Sequence, residues 1–245
     1  MTELQHLSLE AEGARRRVVL AGGPLTLAAA RELAAVASDL AEERGAVRVL
    51  TISSRGTDFC PGPDHDLDPL TAGVDPPAAI AAIPFPVVVA LGGRVGSVGL
   101  EIALAADLRI GRPDTRLSLT DIASGRLPCW GGTQRLPRLA GRSVASSMLL
   151  AGAELDHEAA SRCGLLQFVG DDADALADEV SARLAELAPY ALAAAKEALI
   201  RGPELPMRHA LEFEGDLNHL LQTTRDRAEG LTAFFDKRPP HFEGS

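Results

Sequence analysis

The carboxylates with the most suggestive surroundings in this chain are Glu101 and Asp121. Glu101 lies in the stretch 85–111, F-P-V-V-V-A-L-G-G-R-V-G-S-V-G-L-E-I-A-L-A-A-D-L-R-I-G. The β-branched apolar run Val87 to Leu91 reads as a buried strand halted by Gly92 and Gly93. From Val98 to Ala106 the apolar positions recur at helical spacing, so a glycine-rich turn hands a strand to a helix. The first N–H groups of such a helix lack internal partners, and the macrodipole favours negative charge there. Glu101 stands one turn in, an acid beside a ready-made anion site. Its other reading is a solvated first-turn glutamate that complements the dipole. Asp121 ends the strand expected at Arg116 to Leu119, where an aspartate is also an ordinary turn residue.

Other reactive side chains suggest less. No register of Gly92, Gly93, Gly96 and Gly99 fits the G-x-G-x-x-G dinucleotide fingerprint. Around Ser97 the first glycine of a G-x-S-x-G nucleophile elbow is replaced by Val95. Cys60, Cys129 and Cys163 are an odd number at unrelated spacings, which argues for a reducing compartment and against a disulfide framework or metal cluster. Cys129 has no histidine near it in sequence to activate it as a nucleophile. His65, among Asp64, Asp66 and Asp68, reads as a solvated loop residue, and no metal site is expected.

A net charge of −10 argues against a nucleic-acid surface, which needs clustered Lys and Arg. It leaves room for a phosphorylated small molecule, for which a few arginines and helix N-termini suffice. Met1 to Glu12 lacks a basic segment followed by an apolar one, and no apolar run approaches membrane-spanning length. The expected location is cytoplasmic, with no membrane contact.

Several elements must position these residues. Two short strands joined at Gly13 are expected over 6–20, then a helix over 26–44 with Thr26 as N-cap and Gly45 as stop. A strand at Val47 to Ile52 leads into a polar Gly/Pro-rich loop, 53–75, long enough to suggest function. A short helix over 76–83 precedes the core strand. A second glycine-containing turn spans 125–137, and helices follow at 143–151 and 157–163, with a strand at Leu166 to Val169. From Ala173 onward the pattern is helical, over 173–187, 190–200, 206–222 and 225–235. Beyond about residue 190 the apolar faces have no sheet to cover them, so they must pack on the core or on another subunit.

The strand, turn and helix at 85–111 resemble the signature of the crotonase (enoyl-CoA hydratase/isomerase) superfamily, P-V-I-A-A-V-N-G-x-A-x-G-G-G-x-E-L-A-L-A-C-D-x-R-I-A. The resemblance continues through residues 55–64, R-G-T-D-F-C-P-G-P-D, and 128–137, P-C-W-G-G-T-Q-R-L-P, and reaches the tail at 234–242. It implies an α/β fold, a spiral of ββα units over 1–189 with a helical region over 190–245 that builds a homotrimer or a dimer of trimers. The implied activity is acyl-CoA processing: hydration of a 2-enoyl-CoA, or isomerase or other thioester chemistry. Coenzyme A would be part of the substrate and no separate cofactor is implied.

Carried over residue by residue, the resemblance makes Glu101 the acid that activates water and Asp121 the acid that gives a proton to Cα, an aspartate where the family usually has glutamate. The oxyanion donors fall at Val98 and Pro63. Proline has no N–H, so one donor is missing, and the expectation is a shifted loop in which Gly62 or Asp64 donates, a slow enzyme, or an acyl-CoA-binding homologue with impaired catalysis. The loop Cys60, Pro61, Gly62, Asp64, His65 is expected to cradle CoA through backbone groups. Trp130 would wall the acyl pocket or serve packing alone. Lys196 and Lys237 match tail positions that can approach CoA phosphates, or are surface charges.

Overall fold

The computed structural model describes residues 4–43 and 45–245. Strands β1 (Leu7–Glu12) and β2 (Arg15–Leu20) form a hairpin through Gly13, whose φ of 56° suits the tight reversal. Helix α1 (Leu27–Glu42) starts where expected, with the Thr26 hydroxyl accepting the Ala29 N–H at 3.1 Å; Arg44, its expected last residue, lies outside the described residues. Strand β3 (Val49–Ser54) then pairs in parallel with β2.

The chain next repeats one unit with small variations. The long loop leads to α2 (Pro76–Ala81) and β4 (Val87–Leu91); β5 (Arg94–Gly96) and α3 (Val98–Ala105) complete that turn of the spiral. Strands β6 (Leu108–Gly111) and β7 (Arg116–Ser118), with α4 (Gly132–Ala151), make the following one. The sheet order β1-β2-β3-β4-β6-β9, and a small second sheet β5-β7-β8, show that equivalent strands of successive turns lie side by side. The short β8 (Leu155–Asp156) and α5 (His157–Arg162) precede β9 (Phe168–Val169).

Strand β4 is apolar throughout because both faces are buried, and β3 is buried from Val49 to Ser53 although Thr51 and Ser53 are polar. Leu50, Ile52, Val87, Val89 and Leu91 point into the main core with α1, α2 and α3. Val49, Val88 and Ala90 point the other way, against Ala173, Ala177 and Val180 of α6 (Ala173–Ala185). Every residue of α3 is buried, so this helix is a central pillar rather than an amphipathic cover. The carbonyl of Ala103 and that of the C-cap residue Ala106 accept from the buried Arg109 guanidinium at 3.4 and 2.7 Å. The pillar is therefore held at the end remote from Glu101.

Three expectations need correction. The turn expected over 125–137 is already helix from Gly132, because the broken α4 carries Pro137 and a non-helical Gly141 (φ 81°, ψ 158°) that mask its period. Strands β5 and β8 were not expected; three and two residues are too short to show alternation. The strand expected at 166–169 retains only Phe168–Val169.

The tail consists of α7 (Pro189–Arg201), α8 (Met207–Leu221) and α9 (Arg225–Asp236). Lys196 of α7 is buried, with Nζ 2.7 Å from Asp107 Oδ2 and donating to the Phe85 carbonyl at 3.0 Å. It is not a surface charge: it fastens the tail to the starts of β4 and β6. Helix α8 buries none of its residues, and Leu211, Leu220, Phe234 and Phe235 are exposed.

Candidate active site

The buried acids stand where the two spiral turns meet. Strand β5 ends at Gly96, and Ser97 turns the chain into α3 with φ 49° and ψ −120°, a conformation that costs a non-glycine residue about 1–3 kcal/mol. The turn is held by the Ser97 N–H donating to the Ser118 carbonyl at 3.0 Å and by the Glu101 N–H donating to the Ser97 carbonyl at 3.0 Å. The Val98 N–H, at the first helical position, has no hydrogen-bond partner among the described residues, as expected of a helix start. The Val98 side chain is fully buried in the core, so its bulk does not crowd the donor.

Glu101 is 1% exposed, and its Oε1 accepts the N–H groups of Trp130 and Gly132, each at 2.8 Å. Both donors come from the start of α4. Gly131 enters that helix at φ 98°, and a Cβ on Gly132 would sit 3.1 Å from both Cγ and Oε1 of Glu101, so the paired glycines let the backbone approach the acid. Burial pushes the Glu101 carboxyl up to about 7, the charges of Asp121 and Asp75 add to this, and the two N–H groups oppose it. A solvated dipole partner would not be placed so.

Asp121 lies beyond β7 and opens a short 3₁₀ turn, Asp121–Ser124. It is 8% exposed; Oδ1 accepts the Ser97 hydroxyl at 2.6 Å, and Oδ2 is buried without a partner among the described residues. Partial burial raises the Cys129 thiol, and the charges of Glu101, Asp68, Asp121 and Asp75 add to this. An exposed thiol so surrounded by carboxylates is a poor nucleophile.

The loop before α3 is fastened on both sides. Cys60 donates its N–H to the Arg94 carbonyl at 3.3 Å, and its carbonyl accepts the Gly96 N–H at 2.9 Å. Its side chain is buried against Gly99, where a Cβ would collide with it, and burial pushes the thiol up to about 11. The Cys60 side chain is therefore a packing group, its N–H is taken, and its carbonyl keeps one lone pair. The Leu25 N–H donates to the Gly62 carbonyl at 2.9 Å, and the Asp64 N–H to the Leu25 carbonyl at 2.8 Å. Asp64 thus cannot stand in for the donor absent at Pro63. Gly62 packs beside Ser97 and keeps an N–H without a partner among the described residues; Pro61 and Pro63 offer no N–H. His65 is exposed and bonded to Asp64, whose hydrogen bond raises its pKa.

The Trp130 indole is 2% exposed and belongs to the main core. What Trp130 brings to Glu101 is its backbone N–H. Lys237 is exposed at the end of α9 in a left-handed conformation, away from the acids in sequence and without an ion pair among the described residues. Sequence reading missed Ser97 as more than a failed elbow, and missed Gly132. A serine in a glycine run that must take positive φ was the available signal.

The profile of the enoyl-CoA hydratase/isomerase family matches residues 24–245. The chain belongs to this family. Among curated relatives, the 2,3-dehydroadipyl-CoA hydratase of Escherichia coli (strain K12) is 37% identical over 169 residues, 68% of this chain and 66% of that protein. The (E)-benzylidenesuccinyl-CoA hydratase of Thauera aromatica is 33% identical over 218 residues, 81% of this chain and 82% of that protein. The mitochondrial methylglutaconyl-CoA hydratase of Mus musculus is matched over 54% of its length. The fold agrees with the crystal structure of enoyl-CoA hydratase from Bacillus anthracis at a TM-score of 0.89 and 29% identity, covering 98% of this chain and 100% of that one. DspI of Pseudomonas aeruginosa gives 0.91 at 26% identity, covering 99% and 98%. The expected crotonase-type spiral is thereby established, as is a hydratase-type family membership.

Proposed function

We propose that this family member adds water across the double bond of a 2-enoyl-CoA thioester. The observation that carries the reading is the buried pair itself: Glu101 held by two N–H groups with its carboxyl pushed up to about 7, beside Asp121 with Oδ2 unpartnered. Glu101 takes a proton from water as the oxygen attacks Cβ. A carboxylate whose pKa lies close to the working pH is suited to that transfer. Negative charge passes to the thioester oxygen, where the free Val98 N–H and the positive end of α3 stabilise the enolate. Asp121 gives a proton to Cα. An isomerisation would need only one acid, so the presence of two favours hydration. Incubation with crotonyl-CoA and with longer, branched and aromatic enoyl-CoAs, followed by loss of the enoyl-thioester absorbance, tests the proposal. No turnover with any of them would remove it.

Pro63 favours a second reading, an acyl-CoA-binding homologue with impaired catalysis, because one donor typically contributes a factor of about 10²–10³. Calorimetric binding of acyl-CoA without conversion would select it. We also propose a homotrimer or dimer of trimers, supported by the uncovered apolar residues of α8 and α9, with coenzyme A entering only as part of the substrate. Cys60, Pro61, Gly62, Asp64 and His65 on the loop and Lys237 on the tail remain the proposed CoA contacts. Among the described residues no helix is long and apolar enough to cross a membrane. That is compatible with the expected cytoplasmic location.

A further inference from the structure

Ser97 occupies the N-cap position of α3, where a serine hydroxyl ordinarily accepts an N–H from the first helical turn. Here it makes no such bond. The hydroxyl instead donates to Asp121 Oδ1 at 2.6 Å, across 24 positions of sequence and in a buried setting. Its backbone is in a conformation that glycine would adopt without strain, φ 49° and ψ −120°. The partner is equally unusual: Asp121 is 92% buried by its 8% exposure, yet Oδ2 has no hydrogen-bond partner among the described residues. A buried polar oxygen is normally paired, so an orphan beside a second buried acid points to a group completed by substrate.

Resting on the hydratase reading, we propose that Ser97 is a positioning residue that selects Oδ2 of Asp121 as the proton-giving atom. A neutral carboxylic acid has one carbonyl oxygen and one hydroxyl. In the acid form that the proton transfer requires, the Ser97 O–H donating to Oδ1 leaves Oδ1 as the carbonyl oxygen and puts the acidic proton on Oδ2. In the reaction the Oδ2–H bond breaks and a C–H bond forms at Cα with the enolate electron pair, leaving the Asp121 carboxylate. The proton taken from water by Glu101 and the one given by Asp121 are rebalanced through solvent before the next turnover. The serine also anchors a side chain one methylene shorter than the glutamate that the family pattern implies here.

The test pairs Ser97→Gly with Ser97→Ala, measuring turnover of an accepted enoyl-CoA, thermal stability, and exchange of the Cα proton of the 3-hydroxyacyl-CoA product in D₂O. Both variants should lower kcat by about tenfold, and Cα exchange by the same factor, with KM little changed, because orientation of the acid and not binding is lost. Ser97→Gly should melt no lower than the parent, since it relieves the strained φ. In an Asp121→Asn background neither change should lower activity further. Unchanged kcat and exchange in an active enzyme would overturn the assignment alone. A loss of activity matched by a lower melting temperature in both variants would also overturn it, in favour of a structural serine. A parent protein inactive toward every enoyl-CoA would remove the hydratase reading and this assignment together.

Discussion

Helix α3 is entered through Ser97 and helix α4 through Gly131, and in both the chain passes through a positive φ, 49° and 98°. At α4 the N–H of Gly132, with that of Trp130 just before the helix, is directed at Glu101 Oε1. At α3 the Val98 N–H has no partner among the described residues. The same local device, a glycine-bearing helix start with unsatisfied donors, thus holds a protein carboxylate in one place and stays open in the other. The difference lies in what packs opposite. Glu101 of α3 faces the α4 start, whereas the α3 start faces the loop at Cys60 to Gly62, where Pro61 and the following Pro63 contribute no donor.

The largest effect should come from the acid that α4 holds. Glu101→Gln keeps the shape and the contacts to the two N–H groups but removes the base, and kcat should fall by about 10³-fold with acyl-CoA affinity retained. Steady-state kinetics beside calorimetry would separate the two terms, and a mutant as fast as the parent would return Glu101 to a dipole partner. On the loop beside α3, Pro63→Ala restores an N–H that proline lacks. If position 63 faces the thioester oxygen, kcat should rise by about 10²-fold. An unchanged rate would mean that the open donors at α3 act without the loop.

The pH dependence follows from the same contrast. Activity should rise with pH through about 7 as Glu101 becomes the base, and Glu101→Gln should abolish that limb. Stability should run the other way. Folding raises the Glu101 pKa from its ordinary 4.5 to about 7, so its contribution is fully present below about 4.5 and is lost as pH rises to about 7. Urea unfolding at several pH values should therefore give a smaller loss across that window for Glu101→Gln than for the parent. The smallest effect is expected at Gly132→Ala, where the added Cβ must displace Glu101 by a few tenths of an ångström from its 3.1 Å approach. A roughly tenfold drop in kcat with unchanged binding would fit a misplaced base; no drop would show that the clamp has slack.

Much of this was legible in the chain. The apolar runs at Val87 to Leu91 and the glycine-rich passage to Glu101 locate the central strand and helix, because burial on both sheet faces and the 3.6-residue period leave direct traces in residue order. The family motifs at 55–64, 85–111 and 128–137 point to the spiral and to Glu101, and a count of ten residues back from Gly131 points to Asp121. The missing donor at Pro63 is likewise a property of the residue alone, since no conformation gives proline an N–H.

Tertiary structure decided what each of these groups meets. That α4 reaches back to clamp Glu101 depends on two backbone N–H groups, which have no residue-specific signature. Lys196 looks like a surface or phosphate-binding charge until α7 docks and buries it against Asp107. The Trp130 indole was as compatible with a pocket wall as with the core, because its volume is fixed by its type but its direction by the entry angle of α4. The Ser97 to Asp121 bond, finally, joins two loops that are distant in sequence and adjacent only because successive turns of the spiral stack β5 on β7. Residue type determines which donors, acceptors and apolar surfaces exist; the stacking of the spiral determines which of them face one another.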